Sequence, residues 1–382
     1  MEIVFWLSAL TLVYSVVGYG AALLLLSRLR PAPPEPPDWS PSRVSVLIAA
    51  HNEAAVIADK LRNTLALDFG GAAVEIIVVS DGSTDGTAEI ARSIGDPRIT
   101  VLEAERMGKP AALGLGLARC SGAVVVFSDA NAMLAEGAMT AMLRHFADPA
   151  VGGVCGRITV SRRPGRKGGL GFAEGLFWRY DQALKRAESR LGGVVSAQGS
   201  VYALRRELAA APPSGCADDF MLSTGAVAAG KRLVFEPKAE ASEVVTEAAG
   251  GEMRRRVRSA ELSWRALARR AALMNPMRHG FYAWRLISHK LIRRLNPLFL
   301  VLLFASNLAL IGHGPVFAAT AIGQTLFYGL GLAALIRPEL RRVRAASAAS
   351  FFLLSHAAIA VGFLRFASGR KSVVWTPVRA GA

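Results

Sequence analysis

Hydrophobic residues form two patterns along this chain: long uncharged runs near its ends and short β-branched runs in its middle. Residues 3–26 contain no charged side chain and are followed at once by Arg28 and Arg30. A helix of this length can cross a bilayer core of roughly 30 Å. Glu2 before the run and the arginines after it predict that the next residues lie in the cytoplasm. A cleaved signal peptide is the alternative, but the run lacks a basic start and is too long for one.

The β-branched runs indicate a sheet. Residues 31–42 are rich in proline, which removes backbone donors, so they predict a stiff linker after the N-terminal helix of residues 1–30. The runs VSVLIAA, VEIIVVS, AVVVFSD and RLVFEP then alternate with helical stretches. This alternation predicts a doubly wound, Rossmann-like α/β domain over residues 43–250, with a parallel sheet covered by helices on both faces.

The last third of the chain is basic and then apolar. Residues 251–296 are basic and amphipathic, which predicts interfacial helices in the headgroup region. Three apolar segments follow within residues 297–368, and the arginines between the last two indicate a cytoplasmic loop. The tail, residues 369–382, is also basic, yet three full crossings would place it outside. Either one segment is re-entrant or interfacial, or the tail departs from the positive-inside rule.

Charge narrows the classes of partner. The chain has 45 Lys and Arg against 29 Asp and Glu, a formal charge of +16, and 52% hydrophobic residues. This composition suits an anionic membrane surface and a phosphate-bearing substrate. We expect no nucleic-acid partner, because zinc spacings and recognition-helix signatures are missing. The three cysteines show no metal-binding spacing, which fits a reduced cytosolic environment.

Polar residues follow each of the first three predicted strands. Asn52 and Glu53 follow the first strand, Asp81 the second, and Asp129 the third, with Lys109 in the preceding connection. Open α/β sheets bind ligands beyond the carboxyl ends of their strands, so we expect a ligand crevice here. A carboxylate can hold a divalent ion against a diphosphate, and a lysine can neutralise phosphate charge. Helix capping by Asn52 and Asp81 is the structural alternative.

In this order, the motifs resemble those of membrane-bound family 2 glycosyltransferases, near the cellulose, hyaluronan and poly-N-acetylglucosamine synthases. The resemblance covers nearly the whole chain and implies a GT-A fold for residues 43–250. It also implies an inverting transfer from a UDP-sugar to a polysaccharide or lipid acceptor, with Mg²⁺ or Mn²⁺, at the cytoplasmic face of the plasma membrane. The alternatives are a catalytically inactive membrane scaffold and, less favoured, a transporter.

The resemblance assigns roles on the donor side of the crevice. Asp81 would hold the uracil, and the metal would bind Asp129 and Asn131. Asn131 stands where the family usually has a second acidic residue, and its amide is a weaker ligand. The implied nucleotide-sugar residues are Ala50, Asn52, Glu53, Asp81, Lys109, Asp129, Arg255, Arg256 and Arg258. The three arginines match a family element whose glutamine and tryptophan are replaced here, and a lipid-facing polar stripe is their alternative.

Further residues are assigned to catalysis and to the acceptor. Asp218 and Asp219 match the family's acidic pair, whose second member is the catalytic base, because transfer requires removal of the acceptor's hydroxyl proton. An acidic helix N-terminus is the alternative for this pair. Gln198 and Gly199 match a segment near the acceptor sugar.

Three aromatic and polar residues complete the implied site. Trp178 could stack on a sugar, although helix packing is its alternative. Trp375 and Thr376 resemble a gating loop, which requires a cytoplasmic tail. Since the apolar segments are few, a channel would need a homo-oligomer or a partner membrane subunit.

Overall fold

A computed structural model of the chain describes residues 1–31, 33–161, 172–244 and 249–369. Its centre is an eight-stranded sheet with the strand order β3-β2-β1-β4-β7-β6-β8-β5. The strands are β1 Arg43–Ala50, β2 Ala73–Asp81, β3 Ile99–Ala104, β4 Val124–Ser128, β5 Ala132–Leu134, β6 Val151–Ser161, β7 Val201–Arg205 and β8 Arg232–Val244.

Helices cover both faces of this sheet and extend beyond it. Those of the α/β domain are α2 Ala54–Leu65, α3 Thr87–Ser93, α4 Lys109–Leu117, α5 Ala138–Leu143, α6 Phe172–Arg190 and α7 Asp218–Ala228. The others are α1 Glu2–Arg28, α8 Ala249–Arg269, α9 Pro276–Ala309, α10 Pro315–Ile336 and α11 Arg344–Ala367.

The first half of the sheet is parallel and buried on both faces. Strands β3, β2, β1 and β4 pair in parallel, and Ala50 at the end of β1 lies opposite Ser80 of β2. Val46 of β1 packs with Ile57 of α2 on one face, whereas Leu47 packs with Leu113 of α4 on the other. Burial on both faces explains why these strands are continuous hydrophobic runs, and it confirms the predicted α/β class.

The second half of the sheet is mixed, so the prediction of a parallel sheet throughout is wrong there. β4 pairs antiparallel with β7, and β7 pairs antiparallel with β6. β8, the RLVFEP strand, pairs in parallel with β6 and antiparallel with β5. Val201 at the start of β7 lies opposite Ser128 at the end of β4, because the chain returns from α6 at the carboxyl edge. A hydrophobic run predicts a strand but not its pairing direction.

Among the described residues, four helices are long and apolar enough to cross a membrane, and they are α1, α9, α10 and α11. α9 runs through the boundary predicted at residue 296, with non-helical backbone angles at Gly280 near its start. α1 packs along α9, where Tyr14 Oη lies 2.7 Å from Ser288 Oγ and Ser15 donates to Asn296 over 2.9 Å. The N-terminal helix is therefore fixed to the start of the C-terminal helices.

Candidate active site

Hydrogen bonds join the loops that follow β1 and β2 into one unit. Asn52 has a positive φ of 53°, which asparagine tolerates better than most residues. Its Oδ1 accepts from the Thr84 backbone N–H over 2.9 Å, and its own backbone N–H donates to Ser83 Oγ over 3.1 Å. The Glu53 backbone N–H donates to Thr87 Oγ1 over 2.8 Å. The predicted residues Asn52 and Glu53 thus lie at the carboxyl edge, where His51 separates them from the predicted Ala50 at the end of β1.

Asp85 completes this junction. Its Oδ2 accepts from the Ala54 backbone N–H over 2.9 Å, at the start of α2, and its Oδ1 accepts from the Thr87 backbone N–H over 3.1 Å. Burial raises the pKa of Asp85, but these hydrogen bonds outweigh it and leave the pKa below its usual value. A carboxylate that stays charged therefore caps two neighbouring helices at the edge of the crevice.

Asp81 fixes the loop that carries Lys109. Its Oδ1 accepts from the Met107 backbone N–H over 2.7 Å, and its Oδ2 accepts from the Gly108 backbone N–H over 3.0 Å. Gly108 has a φ of 92°, a conformation that favours glycine. The structure thus gives the fully buried Asp81 a part in shaping the loop. Its contact with a uracil stays a prediction.

Lys109 joins two of the predicted acidic residues. Its Nζ lies 2.7 Å from Asp129 Oδ1 and 3.3 Å from Asp218 Oδ2. Burial alone would lower the pKa of Lys109, but Asp129 and Asp218 raise it well above its usual value. Lys109 is therefore a permanent cation between the end of β4 and the start of α7. Lys109 and Asp218, which are more than a hundred positions apart, meet here because β4 ends and α7 begins at the carboxyl edge.

Asp219 faces this group across Gly199. A methyl group placed on Gly199 would lie 3.8 Å from Asp129 Oδ2 and 3.9 Å from Asp219 Oδ2, in ordinary van der Waals contact with both. Burial, and next the charge of Asp218, raise the pKa of Asp219 to about 6. A carboxyl group with this pKa can accept a proton near neutral pH, as a general base must.

The loop that presents Asp129 rests on Lys60, a residue that sequence analysis missed. Lys60 is fully buried in α2, and its Nζ donates to Ser128 Oγ over 2.8 Å and to the Ala132 carbonyl over 2.6 Å. Burial lowers the pKa of Lys60 to about 7. The sequence contained a signal for this burial, because Lys60 falls on the same stripe of the helix as the buried Ile57 and Leu61.

The three predicted arginines separate into two groups on α8. Arg255 and Arg258 are three residues apart, so they share a helix face. Arg258 interacts electrostatically with Asp218, and burial lowers its pKa. Arg256 instead donates to Ser355 Oγ over 3.1 Å and lies over the Phe351 ring of α11 at 4.9 Å. The structure therefore brings Arg258 to the acidic group but turns Arg256 towards α11.

Two of the predicted acceptor residues, Gln198 and Gly199, lie in the segment beside the acidic group. Gln198, directly before Gly199, donates from Nε2 to Asp181 Oδ2 of α6 over 3.3 Å. Trp178 is half-buried and three residues before Asp181, on the same face of α6. The predicted gating residues Trp375 and Thr376 lie outside the described residues.

The residues near Asp129 suit a divalent ion shared with a diphosphate. No group of three His, Cys, Asp or Glu that could hold a metal occurs in the described ranges. Mg²⁺ in nucleotide sites commonly takes one or two carboxylates and completes its shell with phosphate and water. Asp129 offers Oδ2 beside Gly199, and the half-buried Asn131 follows on the same loop. The donor set fits an ion that arrives with its substrate.

Comparisons with known proteins agree with this geometry. The model of glycosyl transferase family 2 matches residues 45–210. A poly-beta-1,6-N-acetyl-D-glucosamine synthase from Staphylococcus aureus is 30% identical over 226 residues, or 57% of this chain and 54% of that protein. Its namesake from Staphylococcus epidermidis is 28% identical over 228 residues, with the same coverage. The chain thus spans about half the length of the curated relatives it matches.

A solved structure matches the chain over almost its whole length. It is the mannosyltransferase PcManGT from Pyrobaculum calidifontis in complex with GDP-Man and Mn²⁺. Its TM-score is 0.71 at 23% identity, with 96% of this chain and 100% of that chain covered, which shows a common fold. Residues 45–210 thus match glycosyl transferase family 2, and the chain shares the fold of this solved glycosyltransferase.

Proposed function

We propose that the chain transfers a sugar, with inversion, from a UDP-sugar to a polysaccharide or lipid acceptor at the cytoplasmic face of the membrane. The observation that carries this proposal is the position of Asp219, which faces Asp129 across Gly199. A proton acceptor thus stands opposite the residue expected to lie nearest the diphosphate. The relatives named as poly-beta-1,6-N-acetyl-D-glucosamine synthases support a glycan product.

Positive side chains would stabilise the leaving group. Lys109 lies between Asp129 and Asp218, and Arg258 approaches Asp218 from α8. Charge that develops on the diphosphate is best met by cations already in place. A bound Mg²⁺ or Mn²⁺, held by Asp129 and Asn131, would add Lewis-acid neutralisation of the same charge. The donor would therefore lie with its diphosphate between the end of β4 and the start of α8.

Asp219 would act on the acceptor. Its carboxylate takes the proton of the acceptor hydroxyl as the hydroxyl oxygen forms a bond to the sugar C1. The bond between C1 and the diphosphate oxygen breaks at the same time, and the nucleoside diphosphate leaves with the electron pair. Attack from the side opposite the leaving group inverts the configuration at C1. The pKa of about 6 keeps Asp219 mostly ionised at neutral pH yet able to hold a proton.

The packing of α11 indicates on which side of the membrane its C-terminal end lies. Its second half lies along α8, where a methyl group on Gly362 would sit 2.6 Å from Ala260 Cβ and the Trp264 ring lies 5.1 Å from that of Phe363. α8 carries many arginines, and such a helix is costly inside hydrocarbon. We therefore propose that α11 stays at the cytoplasmic boundary, and that the tail after it is cytoplasmic.

Thiol labelling tests the position of α11. The native cysteines Cys120, Cys155 and Cys216 are buried, so a cysteine introduced by Ser368→Cys would be the main reactive thiol. We expect a membrane-impermeant reagent to label Ser368→Cys in inverted vesicles and not in intact cells. Labelling from outside intact cells would show that α11 crosses the membrane.

Release of nucleoside diphosphate tests the transferase. The protein in its native lipid would be given UDP-sugars and GDP-mannose with Mg²⁺ or Mn²⁺; GDP-mannose is included because PcManGT is complexed with it. We expect turnover of one UDP-sugar, and a loss of about 1000-fold in Asp219→Asn with donor binding retained. Turnover of GDP-mannose alone would show that the donor is GDP-mannose rather than a UDP-sugar. Silence with every donor would favour the inactive scaffold, whereas equal activity in the variant would show that Asp219 is not the base.

A further inference from the structure

The membrane helix α9 contacts the catalytic domain through a buried histidine. His289 Nδ1 lies 2.6 Å from Glu188 Oε1, and Tyr19 of α1 donates to the same oxygen over 2.7 Å. His289 Nε2 lies 4.0 Å from Asp181, the residue that accepts from Gln198. These contacts hold one face of α9 against α6, directly beside the Gln198–Gly199 segment.

The next face of α9 packs against α7. Leu291 and Leu295 join a buried cluster with Phe220, the residue that follows the proposed base. Lys290 and Arg294 precede these leucines by one position each and are four residues apart, so they form one strip. The Arg294 guanidinium donates to the Lys290 carbonyl over 3.0 Å, which fixes it along the helix. The strip lies between the α6 contact and the α7 contact.

Both cations in this strip act on the proposed base. Arg294 and Lys290 each interact electrostatically with Asp219, and Lys290 also interacts with Asp181 and Glu188 of α6. Within the described ranges, no carboxylate oxygen comes within 4.0 Å of either charged group. Two partly buried cations without a close counter-ion are costly, and an anionic ligand would relieve that cost. The strip is thus suited to an anion that lies next to Asp219.

The position of the strip along α9 favours a lipid as the source of that anion. Residues 297–305, directly after the strip, are uncharged and almost entirely apolar. Cations at such a boundary lie at the level of lipid headgroups. Lys290 also interacts with Asp181, which accepts from the predicted acceptor residue Gln198, whereas Lys109 and Arg258 lie towards the expected diphosphate. The anion therefore belongs to the acceptor rather than to the donor.

We propose that Lys290 and Arg294 bind the phosphate of an acceptor phospholipid and so place a headgroup hydroxyl at Asp219. This inference rests on the proposed function and selects the lipid acceptor over the polysaccharide. The hydroxyl oxygen would bond to the sugar C1, its proton would pass to Asp219, and the nucleoside diphosphate would leave. The lipid phosphate remains unchanged throughout and serves only to hold the acceptor.

Lipid binding without donor tests the site. Native mass spectrometry of the full chain would compare phosphatidylglycerol with diacylglycerol of the same acyl chains. We expect only phosphatidylglycerol to be retained, and Lys290→Gln/Arg294→Gln to bind it about 30-fold more weakly, since each cation at a membrane surface contributes about 1 kcal/mol. Arg293→Gln is the control for loss of a single charge, because it removes one cation next to Arg294, and it should retain the lipid.

Three results would overturn the proposal. They are equal retention of diacylglycerol, equal loss of lipid in Arg293→Gln, and full displacement of the lipid by millimolar inorganic phosphate, which would indicate a soluble anion. Sugar transfer is then measured separately with each lipid in the presence of donor. Specific lipid binding without any transfer would contradict the proposed function and the acceptor role together, whereas transfer to diacylglycerol at an equal rate would contradict the acceptor role alone.

Discussion

Two parts of the crevice are built in different ways. The loops around the ends of β1 and β2 are held by backbone N–H groups that donate to Asn52, Asp81 and Asp85. The acidic group around Lys109 and Asp219 depends instead on ionised side chains from separate elements. Backbone hydrogen bonds give the loops a fixed shape, whereas the acidic group is governed by charge and so should respond strongly to charge changes.

Among the changes that test this contrast, replacement of Lys109 should have the largest effect on activity. Lys109→Met leaves Asp129 and Asp218 without the cation that joins them and removes a group proposed to stabilise the leaving diphosphate. We expect kcat/KM to fall about 100-fold, as when one preorganised donor is removed from an active site. Nucleotide release under saturating lipid measures it. Lys231→Met is the control, since it replaces a half-buried lysine that lies directly before β8 and donates to the Pro149 carbonyl, and equal losses in both variants would contradict the role.

Filling the space at Gly199 should affect the acceptor more than the donor. Gly199→Ala adds a methyl group in ordinary contact with Asp129 and Asp219, so the chain should fold normally. It occupies space between the two carboxylates, and we expect KM for the acceptor to rise about tenfold, the cost of misplacing a bound reactant by a fraction of an ångström. Steady-state kinetics with each substrate varied in turn measures this. A change confined to the KM for the donor would show that Gly199 lies against the donor rather than the acceptor.

The pH dependence of kcat should reveal the coupling between Asp218 and Asp219. Asp219 must be ionised to accept a proton, so the rate should fall as pH drops through about 6. The charge of Asp218 helps to raise that pKa, so Asp218→Asn should move the acid limb of the profile to lower pH. A limb that stays in place or moves to higher pH would show that another group controls it.

Replacement of Lys60 should affect the stability of the protein more than its chemistry, so we expect it to have the smallest effect on activity. Lys60→Met leaves the Ser128 hydroxyl and the Ala132 carbonyl without their buried donor, which costs about 1–3 kcal/mol of unfolding free energy. We expect a lower melting temperature in detergent and a weaker donor affinity, because Asp129 lies in the same loop.

The control for Lys60 is Asn63→Ala, which removes two hydrogen bonds between α2 and Leu134 of β5 but touches neither Ser128 nor Ala132. It should lower stability by a similar amount and leave donor affinity unchanged. A loss of donor affinity in both variants would show that α2 acts through stability alone.

The sequence alone predicted the α/β class and three of the four strands in the first half of the sheet, because strands buried on both faces are continuous hydrophobic runs; it did not predict β3. It also predicted that residues at strand ends would share one edge, as Asn52 and Asp129 do. It failed on the antiparallel pairing in the second half of the sheet and on the side of α8 that Arg256 occupies. Both depend on where distant segments of the chain return, which no local pattern records.

Local patterns thus determined which residues form strands, which helices are apolar enough for a membrane, and which polar residues end the parallel strands. The tertiary structure alone decided that Lys109 pairs with Asp218, that the buried Lys60 supports the Asp129 loop, and that Leu291 and Leu295 of α9 pack in the cluster of Phe220. The physical reason is that hydrophobic periodicity acts between neighbours in sequence. Charge pairing and burial depend instead on distances that only the assembled fold sets.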